Sequence, residues 1–95
     1  MINQRITDNR TEILSLASQH GIKSMKIFGS MARGEANETS DADFLVEMKD
    51  GYDLFDLGSC LMELQDLLHC KVDMVTMEAL HPRIRKNILK EAQSL

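Results

Sequence analysis

Leucines fall at positions 54, 57, 61, 64 and 68, spacings of three and four that line one face of an α-helix. Such a stripe has to be buried, and the surface offered to it is a set of short apolar runs. Met25 to Phe28 carries Met25, Ile27 and Phe28 and stops at Gly29-Ser30. Asp43 to Met48 carries Phe44, Leu45 and Val46 and closes at Lys49-Asp50-Gly51, and Val72 to Thr76 is a third run. Each has the length and composition of a strand bounded by turn residues. The leucine stripe also suits a coiled-coil seam, but barely two heptads are present, so packing onto a sheet is the preferred reading.

The remaining helices follow from spacing and punctuation. Ile6, Ile13, Leu14, Leu16 and Ala17 predict an opening helix, with Thr7 or Asp8 as its cap and His20-Gly21 as its stop. A short helix begins at Ser30, Glu35 to Ser40 reads as a polar turn, and Pro82 sits in the first turn of a closing helix bearing Ile84, Ile88 and Leu89. The order helix, strand, short helix, strand, helix, strand, helix predicts an α/β (α+β) fold, a small mixed β-sheet covered by helices.

At 95 residues, positions 1–95 are expected to form a single domain, with no room for a second substrate-binding domain. A formal charge of -4 disfavours a surface that grips nucleic acid along its length, because phosphate neutralisation needs clustered Lys and Arg. Cys60 and Cys70 form no CxxC pair, and Met1 to Arg10 is polar where a signal peptide would be apolar. No apolar run approaches the roughly 20 residues of a membrane-spanning helix. The expectation is a soluble protein of the reducing cytoplasm, with no membrane partner.

The chemistry lies in the acids. Asp41 and Asp43 are two apart at the start of the second predicted strand, so both carboxylates point to one side. Such a pair repels itself unless a cation lies between the carboxylates or one takes a proton, which makes it a natural Mg²⁺ site. Alone, an Asp-x-Asp is equally well a solvated turn. Here Gly29-Ser30 precedes Asp41 by ten intervening residues. Gly29 permits close backbone approach, Ser30 offers a hydroxyl and opens a helix, and Arg33 adds a cation one turn on, a combination suited to phosphate oxygens. Asp73 lies among apolar residues in Val72-Asp-Met-Val and needs a partner. If the second and third strands are neighbours, it faces Asp41 and Asp43 and completes a three-carboxylate site for two metal ions. His69 and Cys70 lack a further ligand at zinc spacing, and Arg83, Arg85, Lys86 and Lys90 read first as a solvated helix face, with partner contact as the lesser reading. Neither a Gly-x-x-x-x-Gly-Lys loop nor a Gly-x-Gly-x-x-Gly is present.

Phe28-Gly-Ser-Met-Ala-Arg-Gly-Glu35 together with Ser40-Asp-Ala-Asp-Phe-Leu-Val46 resembles the signature of the DNA polymerase beta-type nucleotidyltransferases. Val72 to Thr76, Ala79 to Arg85 and Ile88 to Glu91 are similar to the minimal nucleotidyltransferases, the antitoxin halves of toxin–antitoxin pairs. The likeness spans about residues 23 to 92 and departs at Met31 and Ala42, neither of which is a catalytic group. It implies the polymerase-beta-type fold, with Asp41, Asp43 and Asp73 as metal ligands, Asp73 also helping to deprotonate the acceptor. Gly29, Ser30 and Arg33 would then hold the triphosphate. It further implies two Mg²⁺ ions, ATP as substrate, and a HEPN-domain RNase toxin as the protein modified on a tyrosine hydroxyl. The alternatives are a stoichiometric toxin-binding antitoxin with a vestigial nucleotide site, and a stand-alone enzyme acting on small molecules.

Overall fold

A computed structural model of the protein describes residues 2–35 and 40–95. In chain order these form helices α1 (Gln4–Asp8) and α2 (Arg10–Gln19), strand β1 (Ile22–Phe28), helix α3 (Ser30–Arg33), strand β2 (Ala42–Met48), helix α4 (Leu54–Leu68) and strand β3 (Val72–Thr76). A 3-10 turn (Met77–Ala79), helix α5 (Pro82–Glu91) and a two-residue strand β4 (Gln93–Ser94) complete the chain. The sheet order is β3-β2-β1-β4, with β2 and β3 parallel and the other pairs antiparallel, so the sheet is mixed as expected. The parallel pair requires a crossover, and α4 is that connection.

Helix α4 has the expected bounds because both ends are specified locally. The Asp53 carboxylate accepts from the Phe55 and Asp56 backbone N–H groups at 2.9 and 3.2 Å, and Asp56 accepts from the Asp53 N–H at 2.9 Å. This reciprocal box satisfies donors that the first turn leaves free. His69, in the left-handed conformation at φ 54°, ends the helix. The buried stripe is Leu57, Cys60, Leu64 and Leu68, which corrects the leucine-only reading. Leu54 is 78% exposed, since it opens the first turn beside the equally solvated Phe55, and Cys60 takes a place in the stripe.

The opening helix is two helices. Asn3 caps α1 by accepting from the Arg5 N–H at 2.9 Å, so neither Thr7 nor Asp8 is its cap. The chain breaks at Asn9, whose side-chain amide donates back to the Arg5 carbonyl at 2.8 Å, a local bond that competes with helix continuation. Ile6 on α1 and Ile13 on α2 are both buried in the core.

Alternation divides the sheet into two faces. Met25, Ile27, Phe44, Val46 and Val72 pack against Ile6, Ile13, Ala17, Leu57, Leu64 and Leu68. The opposite face carries Phe28, Asp43 and Asp73 in one row, because Phe28 pairs with Asp43 and Asp43 with Asp73. The next row on that face holds Lys26, Leu45 and Val75. Strand β4 was not foreseen, since two residues show no periodicity. It pairs with Lys26 and Ile27 on the free edge of β1, and Arg10 donates to the Leu95 carbonyl beside it. No helix among the described residues is long and apolar enough to cross a membrane.

Candidate active site

The site is built where β1 ends against the start of β2. Gly29 has φ 76° and ψ -158°, a backbone that side chains rarely adopt, and a Cβ placed there would lie 2.5 Å from Asp43 Oδ2. Glycine is thus required twice over, by conformation and by the carboxylate against it. Ser30 starts the four-residue α3 and Arg33 ends it. Positions 36–39 of the predicted Glu35 to Ser40 turn lie outside the described residues.

Asp43 stands on β2 with Asp73 as its direct partner on parallel β3, so the two carboxylates share one face and one row. The neighbourhood expected of these strands is the one observed. Asp41 falls just before the strand, which begins at Ala42, where the Ala42 N–H donates to the Lys71 carbonyl at 2.9 Å and locks the register. It remains close enough to act on its neighbour. Burial, then the charges of Asp73, Asp41 and Glu91, push the Asp43 carboxyl up to about 6, with Arg33 opposing.

Among the described residues no three His, Cys, Asp or Glu side chains converge into a ready metal cluster. The residues nevertheless fit a divalent cation. Their donors are hard carboxylate oxygens, and a bound cation would offset both the burial and the neighbouring charges that raise Asp43. Asp41, Asp43 and Asp73 are the side chains that would hold it.

The folded state retains the Asp43 proton between pH 4 and pH 6, where the unfolded chain has lost it. This contribution to stability is therefore full below pH 4, declines through pH 6 and is absent at pH 7. Urea unfolding of wild type and Asp43→Asn at pH 4 and pH 7, without metal, should differ in pH dependence by about 1–2 kcal/mol, allowing for the carboxylate's partial exposure. Equal pH dependence in the two proteins would remove the raised Asp43 carboxyl from the account.

Arg33 is not the free cation the sequence suggested. Its Nε donates to Glu35 Oε2 at 3.0 Å and its Nη1 to Glu91 Oε2 at 2.9 Å, and these two bonds raise its pKa further. Glu91, the last residue of α5, also accepts from the Gly29 N–H through Oε1 at 2.9 Å. Sequence reasoning missed this residue as part of the site. Its only signal was membership of the Ile88 to Glu91 stretch that carried the family likeness. The basic cluster of α5 is also less uniform than expected: Arg83, Lys86 and Lys90 are exposed, while Arg85 donates to the Met77 and Leu80 carbonyls at 3.3 Å each.

The polymerase beta nucleotidyltransferase family matches residues 11–95. The chain belongs to that family. This nucleotidyltransferase is 41% identical over 87 residues to a Methanocaldococcus jannaschii protein described as a candidate protein adenylyltransferase, covering 92% of this chain and 94% of that one. A solved structure of a candidate minimal nucleotidyltransferase superposes with a TM-score of 0.87 at 40% identity, covering 100% of this chain and 97% of the other. A structure of the tri-AMPylated Shewanella oneidensis HEPN toxin with its MNT antitoxin gives a TM-score of 0.69 at 18% identity, covering 93% and 69%, and shares the fold.

Proposed function

We propose that this nucleotidyltransferase is a Mg²⁺-dependent protein adenylyltransferase that moves AMP from ATP to a tyrosine hydroxyl of a HEPN-type RNase toxin and so acts as its antitoxin. The observation that carries the reading is the row Asp43–Asp73 with the Gly29 turn pressed against Asp43. Phosphate-holding groups and carboxylates thereby meet at one end of the open sheet face. The name of the M. jannaschii relative and the AMPylated state of the S. oneidensis toxin support adenylyl transfer to a protein.

Gly29, Ser30 and Arg33 hold the β- and γ-phosphates, leaving the α-phosphate over Asp41 and Asp43. Asp73, on the far side of Asp43 from β1, accepts the acceptor hydroxyl's proton. The acceptor oxygen forms a bond to the α-phosphorus while the bond to the bridging oxygen breaks, and pyrophosphate leaves with that electron pair. A divalent cation held by the three carboxylates would neutralise charge and lower the hydroxyl pKa.

A protein acceptor is supported by the exposed apolar groups of α4. Phe55 and Met62, two turns apart, are 87% and 62% exposed. Exposed large apolar side chains on one helix suit contact with a partner. A cavity of about 270 Å³ also opens on the open face beside Lys26, Leu45 and Met77, one row along from Asp43.

The masking reading draws on one observation, the Glu91 carboxylate already seated on Gly29 and Arg33. One experiment separates the two. Toxin incubated with this protein, ATP and Mg²⁺, then purified away, should carry added AMP by intact mass and remain inactive. Unmodified toxin that regains full RNase activity would favour masking and overturn adenylyl transfer.

A further inference from the structure

The Gly29 N–H and the Arg33 Nη1, on two groups given above to the triphosphate, both donate to a single carboxylate. Glu91 spans them with its two oxygens, Oε1 on Gly29 N and Oε2 on Arg33 Nη1, each at 2.9 Å. Two acceptor oxygens on one anion, bridging a backbone N–H and an arginine, reproduce what a phosphate group would present to the same donors. Helix electrostatics does not account for the placement. Glu91 ends α5, where the negative end of the helix dipole disfavours an acid, so its position is set by the donors it reaches.

The surrounding charge makes this seat a competitive one. Asp43 already feels the negative charges of Asp73, Asp41 and Glu91, opposed by Arg33. A backbone N–H offers one strong hydrogen bond, and a triphosphate that adds its own charge while Glu91 stays would be repelled. Displacement is local. The side chain is 31% exposed, so solvent already reaches it. The C-terminal segment stays anchored independently, by Gln93 donating to the Ala32 carbonyl at 3.0 Å and by β4 pairing with β1.

We propose that Glu91 is an intrachain stand-in for phosphate, which occupies the Gly29–Arg33 seat in the nucleotide-free protein and must swing out for the β- and γ-phosphates of ATP to enter. It rests on the nucleotide-binding reading above, and makes Glu91 the residue that sets affinity for the polyphosphate part of the ligand. Its return to the seat also favours release of pyrophosphate after transfer.

The test is calorimetric titration of wild type, Glu91→Gln and Glu91→Ala with MgATP, magnesium pyrophosphate and AMP. Both variants should bind MgATP and pyrophosphate about fivefold more tightly, the scale of one partly exposed ion pair no longer opposing the ligand. AMP, whose single phosphate lies over Asp41 and Asp43, should bind all three proteins alike. Variants that bind polyphosphates no more tightly, or that gain equally for AMP, overturn the inference while leaving the nucleotide site intact. Folded wild type that binds neither MgATP nor pyrophosphate overturns the nucleotide reading itself, and this inference with it. Should the variants not fold, carbon-detected NMR of wild type gives the answer. The Glu91 side-chain carboxyl resonance should move with the Gly29 amide as pyrophosphate is added, and a carboxyl that stays still while Gly29 shifts overturns the displacement.

Discussion

Asp43→Asn is expected to lower AMP transfer by on the order of 10³-fold or more while leaving the fold intact and raising its stability at pH 7. The two effects have one cause. Asp43 lies at the meeting of Gly29, Asp41 and Asp73, so its carboxylate is both the group best placed to hold a cation and the one most destabilised without it. Asparagine keeps the shape and removes the charge. The lost activity is that of a preorganised group facing the charge that develops during phosphoryl transfer. The gained stability comes from ending the cost of a half-buried charge and its repulsion by Asp73 and Asp41, both fully expressed above pH 6. Asp41→Asn should lose activity comparably, with a smaller gain in stability, because Asp41 stands before the strand and acts on Asp43 through its charge. Thermal unfolding with and without Mg²⁺ completes the measurement. Mg²⁺ should raise the midpoint of wild type and raise that of Asp43→Asn far less. Near-normal transfer by Asp43→Asn at ordinary Mg²⁺, or an equal Mg²⁺ response, would sink the assignment of Asp43 to the metal site.

Much of this site was legible in the chain because its parts are local. Gly29 and Ser30 end one strand, Asp41 and Asp43 open the next, and strand alternation alone puts Asp43 on the face away from Phe44. The pairing of Asp43 with Asp73 was conditional on the two strands being neighbours, and the α4 crossover supplied the condition. What stayed hidden depends on contacts between distant positions. Nothing near Glu91 in sequence says that it reaches Gly29, 62 residues away, or that Arg33 spends its charge there. Asn3 capped and Asn9 divided a helix that hydrophobic spacing joined, since apolar periodicity is blind to side-chain amides that bond the backbone. Cys60 entered the α4 stripe because it lies three residues from Leu57 and four from Leu64, where a small apolar thiol packs as core. Strand β4 is held by edge pairing and by Arg10 and Gln93, none of which leaves a pattern in two residues.

Asp73→Asn should separate binding from chemistry. Asp73 shares the row of Asp43 but stands on β3, across β2 from the strand that leads into Gly29. Asp41 and Asp43 remain beside that turn in the variant, so affinity for MgATP should change by no more than about threefold, a shift of roughly 0.7 kcal/mol. The chemical step is another matter. On the proposed reading Asp73 takes the hydroxyl proton once the nucleotide is seated, and asparagine cannot take it. A missing general base costs on the order of 10² to 10⁴ in rate. Single-turnover transfer at saturating ATP and acceptor should therefore slow by that range. Raising the pH should recover part of the loss, because a tyrosine acceptor with an ordinary pKa near 10 increasingly supplies its own phenolate. Wild type, with Asp73 in place, should show a flatter profile over the same interval. If Asp73→Asn instead lost MgATP binding while its turnover at saturation matched wild type, Asp73 would belong with the nucleotide-holding groups and the proton would have to leave by another route.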